Sequence, residues 1–379
     1  MTISRRGVGI LLTATVLVGS ALAGSVASPA AAATTVLPPL DPARLAAAVA
    51  GLPDAEASGA LVQIRGRAGN WSGSSGISEL GSTTPPRLDG RFRIGSMTKT
   101  FTAVVTLQLA AERRIDLDRP VQRYLPGLLP ASYPPIPVRT LLNWTSGING
   151  LAIDSKNADW FFDHRYDHYE PGSQLDLTKP LAFAPGTAQR YANADYILAG
   201  LLIEKVTGRS WASEVNRRII RPLHLTGTTV PGDDPRISGP HAHGYEVTAD
   251  GWADVTEANP SLQWSAASII STADDLDRFL VALFRGRLLP PRELAEMFTV
   301  PDVKIFGTEE PAVYSAGLTR FEFGTVTVWA KSGDRPGYNN GMGATRDLSR
   351  RLVYSVNTLH MGGSEQPRVS QRIIMAALS

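Results

Sequence analysis

The chain has 379 residues, with 37 lysines and arginines, 35 aspartates and glutamates and no cysteine. Its formal net charge is +2 and the charges are spread along the chain, which argues against the concentrated basic stripe of a nucleic-acid-binding protein. No disulfide can form, and a chain of this length can bury a large core without one. Composition therefore indicates one large domain or two, with a partner other than nucleic acid.

The N-terminal residues have the charge and hydropathy order of a secretory signal peptide. Two arginines precede an apolar run over 7–23, and a small-residue stretch ends at Ala33. We expect 1–33 to be removed by cleavage near Ala33, a linker over 34–39, and a mature protein that is extracellular or periplasmic. A membrane anchor is the alternative, but the run is short and contains glycine. The sequence leaves the export route, Sec or twin-arginine, open.

The first elements after the linker are a helix and two strands. Residues 40–51 form an alanine-rich amphipathic pattern, with Asp41 as candidate N-cap and Gly51 as the stop. Strands are predicted over 58–67 and 70–80, joined by a Gly-Asn turn.

A serine and a lysine three residues apart follow a short predicted strand over 91–95. Ser96-Met97-Thr98-Lys99 leads into the buried-helix pattern of 101–112, so the two side chains share a helix face. Only one of the six lysines has a serine at that distance. Lys99 can take the Ser96 proton if burial or a nearby cation lowers its pKa, and the free N–H groups of the helix N-terminus can stabilise an oxyanion. The motif predicts a serine nucleophile.

Between about 115 and 265 the chain is rich in Pro, Asp and Tyr, and we expect an inserted, mostly helical lobe. The strands on either side would pair into one sheet with helices packed on it, and the site would lie between sheet and lobe. The remaining predicted elements are helices near 137–144, 192–207, 210–220, 271–283 (capped by Thr272) and 366–378, and strands over 313–320, 325–331 and 351–357.

Two further short motifs, each with side chains suited to catalysis, accompany the Ser96 motif. Tyr191-Ala192-Asn193 precedes a predicted helix, and Lys331-Ser332-Gly333 ends a predicted strand. With S-x-x-K, Y-x-N and K-[ST]-G in this order, the chain resembles the serine β-lactamase and penicillin-binding superfamily. The likeness is greatest to class C β-lactamases and soluble D-alanyl-D-alanine carboxypeptidases. A second Y-x-N begins at Tyr338, but it follows Lys331 and so falls outside the family's order.

The resemblance covers roughly residue 40 to the end and implies a fold. This is an α/β (α+β) fold of β-lactamase/transpeptidase type, in which an antiparallel sheet is flanked by helices and carries the inserted lobe. Residues 40–379 would then form one serine hydrolase domain.

The resemblance also implies catalytic roles. Ser96 would form an acyl-enzyme, and either Lys99 or the phenol of Tyr191 would be its base. Tyr191 is a candidate because two ammonium groups, those of Lys99 and Lys331, would depress its pKa. Tyr191 would protonate the leaving nitrogen and later activate water. Asn193 would bond the substrate amide and hold Lys99, and the strand from Lys331 would bind a peptide edge-on.

Further residues are implied in substrate binding. The backbone N–H groups of Ser96 and Asp334 would form the oxyanion hole. Lys331 and Ser332 would lie near the free terminal carboxylate of a peptide substrate, and Gly333 is a further candidate for substrate binding. Arg320 is a candidate for binding a terminal carboxylate, with an edge-strand surface arginine as the alternative. Trp264 is a candidate lining residue, with a core tryptophan as the alternative.

The chain departs from the family pattern at two positions. Trp144 replaces a histidine before Thr145-Ser146-Gly147, and we expect repacking there without loss of activity. Asp334 follows Gly333 where small neutral residues are usual, and its carboxylate would oppose an oxyanion unless it points away or pairs with Arg335.

The predicted function is that of an exported D-alanyl-D-alanine carboxypeptidase or related D-amino-acid peptidase, acting on a peptidoglycan stem peptide or β-lactam. The alternatives are a class C-like β-lactamase or carboxylesterase on the same fold, and a non-catalytic binder of cell-wall peptide or β-lactam. We expect a monomer without nucleic acid, stable membrane anchor, cofactor or metal. Histidines at 164, 168, 241 and 243 are weak metal candidates because no H-E-x-x-H motif accompanies them.

Overall fold

A computed structural model of the protein describes residues 37–152, 157–361 and 366–378. The predicted signal peptide and residues 34–36 of the predicted linker lie outside these ranges. Within them, no helix has the length and hydropathy that a membrane span requires.

In the described part of the chain the α-helices are α1 (Pro42–Val49), α2 (Thr98–Ala111), α3 (Val138–Leu142), α4 (Ala158–His164), α5 (Asn193–Thr207), α6 (Trp211–Val215), α7 (Trp264–Ala267), α8 (Ala273–Phe284), α9 (Pro291–Glu296) and α10 (Arg368–Leu378). The strands are β1 (Ala57–Arg65), β2 (Trp71–Gly76), β3 (Phe92–Arg93), β4 (Ala188–Gln189), β5 (Tyr245–Thr248), β6 (Gly251–Asp254), β7 (Ile270–Ser271), β8 (Lys304–Ile305), β9 (Thr319–Phe323), β10 (Val326–Arg335), β11 (Tyr338–Thr345) and β12 (Arg351–Thr358).

Six strands form one antiparallel sheet, in the order β2-β1-β12-β11-β10-β9. The pairing of β1 with β12 joins strands from both ends of the described chain, from Ala57↔Thr358 to Arg65↔Arg351. Helices cover the sheet, which confirms the predicted antiparallel sheet flanked by helices. The assignment of 115–265 as a separate lobe stays a prediction.

The two faces of the sheet have separate cores because side chains alternate along a strand. On one face Val62 and Tyr354 pack with Leu45 of α1 and Ile373 of α10. The other face packs against α2 and α8, where Phe101 and Phe279 stack with ring centroids 4.0 Å apart. The nucleophile motif therefore lies on the α2 face of the sheet.

Several predicted helices are present with their caps. Asp41 accepts hydrogen bonds from the backbone N–H groups of Ala43 and Arg44 at the start of α1. Thr272 accepts one from Asp275 N at the start of α8. These caps can be predicted from the sequence because each depends only on residues within three positions of the capping residue.

Other elements correct the prediction. Strand β11 was not predicted, because its glycines and asparagines do not read as a strand. A Cβ at Gly341 would lie 2.4 Å from the Tyr354 ring, and one at Gly343 would lie 2.7 Å from the Ala330 Cβ, so the packing of neighbouring strands selects glycine there. The strand predicted over 313–320 begins only at Thr319.

Candidate active site

Ser96 lies in a 3₁₀ turn, Gly95–Met97, that runs directly into α2. Gly95 has φ +53°, a left-handed conformation that glycine adopts without steric cost, and it sets the entry angle of the helix. The Lys99 side chain lies one turn further, with Nζ 2.9 Å from Ser96 Oγ. Ser96 is partly exposed whereas Lys99 is fully buried, so the candidate nucleophile is accessible and its candidate base is enclosed.

Lys99 has two further partners from distant segments. Its Nζ donates to Asn193 Oδ1 at 2.7 Å, where α5 begins, and to the Ala266 carbonyl oxygen of α7 at 2.9 Å. Burial lowers the pKa of Lys99 well below its usual value, and the positive charges of Lys331 and Arg335 lower it further. A lysine in this environment gives up its proton more readily than an exposed lysine, as a general base requires.

Tyr191 lies between the two lysines of the site. The Nζ atoms of Lys99 and Lys331 are each 5.0 Å from its ring centroid. Burial raises the pKa of Tyr191, and the nearby Ser96 hydroxyl opposes that rise only in part. The expected depression of the tyrosine pKa by two ammonium groups is therefore wrong, because desolvation of the phenolate outweighs their attraction.

Trp144 packs directly on the candidate catalytic tyrosine, a contact that the sequence did not reveal. The two rings stack with centroids 4.9 Å apart, and the Trp144 indole N–H donates to the Ala192 carbonyl oxygen at 3.1 Å. Tyr314, also unpredicted, contacts both rings, at 5.0 Å from Trp144 and 5.7 Å from Tyr191. The substitution of the family's histidine thus places an indole where it orients the Y-x-N motif.

Strand β10 meets the Ser96 turn through two glycines. A Cβ at Gly333 would lie 1.9 Å from the Ile94 carbonyl oxygen and 2.9 Å from Ser96 N, and a Cβ at Gly95 would lie 2.7 Å from Asp334 N. The backbone at Ser96 and at Asp334 is therefore in close approach, as a shared oxyanion hole requires. Lys331 is almost fully buried on the same face of β10, and its Nζ donates to the Ser332 carbonyl oxygen at 2.9 Å.

The Asp334 carboxylate points away from this approach. Because side chains alternate along β10, Asp334 and Ser332 lie on the face opposite Lys331 and Gly333. Asn339 Nδ2 donates to Asp334 Oδ1, and Asn339 Oδ1 accepts a hydrogen bond from Ser370 Oγ of α10 at 2.6 Å. The carboxylate is thus held toward α10. Its negative charge still opposes, in part, the lowering of the pKa of Lys99 and of Lys331 by burial.

Two predicted binding residues are not joined to this network. Arg320 is exposed on β9 and forms an ion pair with Glu322, with 2.6 Å between Nη2 and Oε1. Trp264, at the start of α7, packs edge-on against Trp211 with centroids 5.8 Å apart and lies over Gly200 of α5. Trp264 is partly buried and packs against the core, and Ala266, two residues further along α7, supplies the carbonyl that binds Lys99.

The histidines considered as metal ligands have other partners. His168 Nδ1 bonds Asp233, and His243 Nδ1 bonds Asp254. Across 37–152, 157–361 and 366–378, no three His, Asp or Glu side chains are grouped so as to hold an ion.

The comparison with known proteins gives the family. The family model Beta-lactamase matches residues 45–373, and the chain belongs to this family, which confirms the resemblance stated above.

Two solved structures and one curated relative illustrate the range of similar proteins. A D-stereospecific amidohydrolase from Streptomyces sp. is 36% identical with a TM-score of 0.77, over 89% of this chain and 98% of that one. A D-amino acid amidase from Ochrobactrum anthropi SV3, complexed with D-phenylalanine, is 26% identical with a TM-score of 0.72, over 84% of this chain and 94% of that one. Penicillin-binding protein 4* of Bacillus subtilis (strain 168) is 25% identical over 80% of this chain and 68% of its own length. The protein is therefore a serine hydrolase of the β-lactamase and penicillin-binding superfamily.

Proposed function

We propose that the protein hydrolyses amide bonds beside D-amino-acid residues, as a D-alanyl-D-alanine carboxypeptidase or related D-amino-acid peptidase. The observation that carries the proposal is the hydrogen-bonded group of Ser96, Lys99 and Asn193 beside Tyr191 and Lys331. The D-configuration is suggested by the likeness to the D-stereospecific amidohydrolase and the D-amino acid amidase.

Lys99 is the base that the geometry favours. A neutral lysine amine has two N–H donors and one lone pair, and its three neighbours are two oxygen acceptors, from Asn193 and Ala266, and the Ser96 hydroxyl. The amine donates to the two acceptors, and the Ser96 hydroxyl donates to its lone pair. As Ser96 Oγ bonds to the substrate carbonyl carbon, its proton passes to Lys99 and the oxyanion forms between the N–H groups of Ser96 and Asp334.

Tyr191 is the acid in the same scheme. Its raised pKa keeps the phenol protonated in the resting enzyme. When Lys99 gains the serine proton, a new positive charge lies 5.0 Å from the ring and lowers the pKa of Tyr191, so the phenol protonates the leaving nitrogen as the C–N bond breaks. In deacylation, water gives a proton to the Tyr191 phenolate and attacks the ester, and Lys99 returns its proton to Ser96.

The sheet offers an edge for an extended substrate. Strand β9 pairs with β10 only as far as Ala330↔Thr319, so within the described ranges residues 331–335 have no neighbouring strand on that side. An extended peptide can bond to this edge as an added strand. Arg320 remains a prediction for the terminal carboxylate, and its ion pair with Glu322 would have to open for that contact.

Cellular context is also proposed. The N-terminal pattern supports export after cleavage near Ala33, and we propose a monomer that acts on small peptides outside the cytoplasm. The binder hypothesis rests on Asp334 beside the oxyanion hole, and the hydrogen bond from Asn339, which holds that carboxylate toward α10, argues against it.

The test combines labelling with a substrate panel. A labelled penicillin should form an adduct at Ser96, detected by intact mass and peptide mapping, and Ser96→Ala should abolish it. The panel contains a D-Ala-D-Ala peptide, its L-Ala-L-Ala counterpart, a cephalosporin and a short-chain ester, and only the D-peptide should be turned over efficiently, with slow loss of the penicillin adduct.

Other outcomes would replace the proposal. Rapid cephalosporin turnover would indicate a class C-like β-lactamase, and turnover of the ester alone a carboxylesterase. An adduct on a different serine would contradict the assignment of Ser96.

A further inference from the structure

Arg335 ends β10 on the face of the strand that meets the candidate nucleophile. Lys331, Gly333 and Arg335 share that face because side chains alternate. The absent Cβ of Gly333 marks the contact with the Ser96 turn, and Arg335 lies two residues, about 7 Å, further along the strand. Arg335 is partly exposed at this end of the strand.

The guanidinium has no partner of its own in the described ranges. Among those residues the Arg335 side chain forms no hydrogen bond and no ion pair, and its pairing with Tyr338 of β11 is through the backbone. The neighbouring Arg93, by contrast, donates to the carbonyl oxygens of Thr256 and Pro235. A guanidinium carries five N–H donors, and one left unbonded in a partly buried position is well suited to a ligand with acceptor oxygens.

The charges around Arg335 are cationic. Its charge interacts with that of Arg93, and Lys331 lies on the same strand face. The adjacent carboxylate, Asp334, is held on the opposite face by Asn339. This part of the site therefore attracts an anion and repels an ammonium group.

The position along β10 shows which half of the substrate would reach Arg335. Tyr191, which protonates the leaving nitrogen in the proposed scheme, lies at the Lys331 end of the segment. The oxyanion lies opposite Ser96 and Asp334, one step further along the strand. The acyl half of the substrate then continues in the direction of Arg335.

We propose that Arg335 binds a carboxylate on the acyl half of the substrate, so that the site favours acyl groups with an acidic substituent and disfavours those with a free ammonium group. The inference rests on the proposed function, since it presumes acylation of Ser96. A carboxylate-binding Arg335 would favour a peptidase that acts on acidic or acylated D-peptides over an amidase that acts on free D-amino acid amides.

Three penicillins provide the test, because they share one reacting ring system and differ in the acyl side chain. That side chain carries a carboxylate in carbenicillin, no charge in benzylpenicillin and an ammonium group in ampicillin. The rate constant for acylation of Ser96 is measured by intact mass at neutral pH. Relative to benzylpenicillin, carbenicillin should react about tenfold faster, the scale of one charge-assisted hydrogen bond, and ampicillin should react more slowly.

Variants assign the preference to Arg335. Arg335→Gln should reduce the carbenicillin-to-benzylpenicillin ratio to about one, whereas Arg335→Lys should keep part of it because the charge remains. The control is Arg87→Gln, which removes an exposed arginine paired with Asp89 and should leave the ratio as in the parent protein. Circular dichroism confirms that each variant is folded.

The outcomes separate the two proposals. Equal rates for the three penicillins, or a carbenicillin preference that survives in Arg335→Gln, would overturn the role of Arg335 while leaving the acyl-enzyme function intact. Absence of any adduct would overturn the acyl-enzyme function and this inference with it. A carbenicillin preference that depends on Arg335, found without turnover of the D-peptide, would support the role of Arg335 and contradict only the peptidase assignment.

Discussion

At the scale of single residues, the environment of Tyr191 divides into an aromatic side and a cationic side. Trp144 and Tyr314 pack against the ring, while the Nζ atoms of Lys99 and Lys331 each lie 5.0 Å from its centroid. The aromatic side favours the neutral phenol and the cationic side favours the phenolate. The tyrosine is therefore neutral at rest and becomes easier to ionise when Lys99 is charged.

Replacement of Tyr191 tests its role as acid. Tyr191→Phe keeps the ring stack but removes the proton donor, so turnover should fall by roughly 10²-fold or more, the scale of lost general acid–base catalysis. The measurement is kcat for the D-Ala-D-Ala peptide, with thermal unfolding to confirm the fold.

The matched control is the tyrosine of the other Y-x-N motif. Tyr338 is buried, and its hydroxyl donates to the Ala242 carbonyl oxygen at 2.9 Å. Tyr338→Phe should lower the free energy of unfolding by about 1 kcal/mol and change kcat little. A larger loss of kcat in Tyr338→Phe than in Tyr191→Phe would show that the wrong motif was assigned.

The two lysines predict a pH window for acylation. Lys99 must be neutral to accept the serine proton, so acylation should rise as pH increases through its lowered pKa. Burial lowers the pKa of Lys331 to about 8, and above that pH the ammonium beside Tyr191 is lost, so the rate should fall. A kcat/KM profile should therefore have a falling limb near pH 8.

Lys331→Arg distinguishes the origin of that limb. A guanidinium stays charged in this range, so the falling limb should move to higher pH even if the maximal rate is lower. A limb that remains near pH 8 in this variant would mean that another group titrates there.

At the scale of elements, the site depends on how closely β10 approaches the turn that precedes α2. Gly333→Ala would place a Cβ against the Ile94 carbonyl oxygen and Ser96 N, two backbone atoms that cannot rotate away. We expect the strand to move outward, the acylation rate to fall by roughly 10²-fold as the oxyanion donors separate, and Tm to fall by several degrees.

A second glycine provides the comparison for this change. Gly150 has open space around the position of its absent Cβ, so Gly150→Ala should leave acylation and Tm almost unchanged. Acylation of Gly333→Ala at the parent rate would show that the close approach is not required.

The elements also show what a sequence can and cannot specify. The caps of α1 and α8 and the spacing of Ser96 and Lys99 depend on residues near in sequence, and these predictions agree with the structure. Strand β11 is not predictable from the sequence, because its glycines are required by the close packing of neighbouring strands in the folded sheet. Two features of the site are also not predictable from the sequence. The stack of Trp144 on Tyr191 joins residues distant in the chain, and the direction of the Asp334 side chain depends on the strand register of the folded sheet.

At the scale of the whole molecule, the central sheet is built from strands that are far apart in the described chain. Strand β1 lies between β2 and β12, and β11 and β10 continue the sheet toward the site. Helix α2, which follows Ser96, and helix α5, which begins at Asn193, belong to the core on one face of that sheet. The candidate site is therefore a meeting point of segments, each contributing one or two groups.

The partners of Lys99 have a consequence for how the chain acquires activity. Its bonds reach residues 94 and 167 positions away, and Asn340 bonds the Arg93 carbonyl across 247 positions. Such high contact order makes folding slow, because each long loop must close before its contacts form. Helical structure can accumulate early in refolding, but the proton relay exists only after the last of these loops has closed. Enzymatic activity is thus a reporter of the final folding event, and no partially folded species or isolated fragment of the chain should show it.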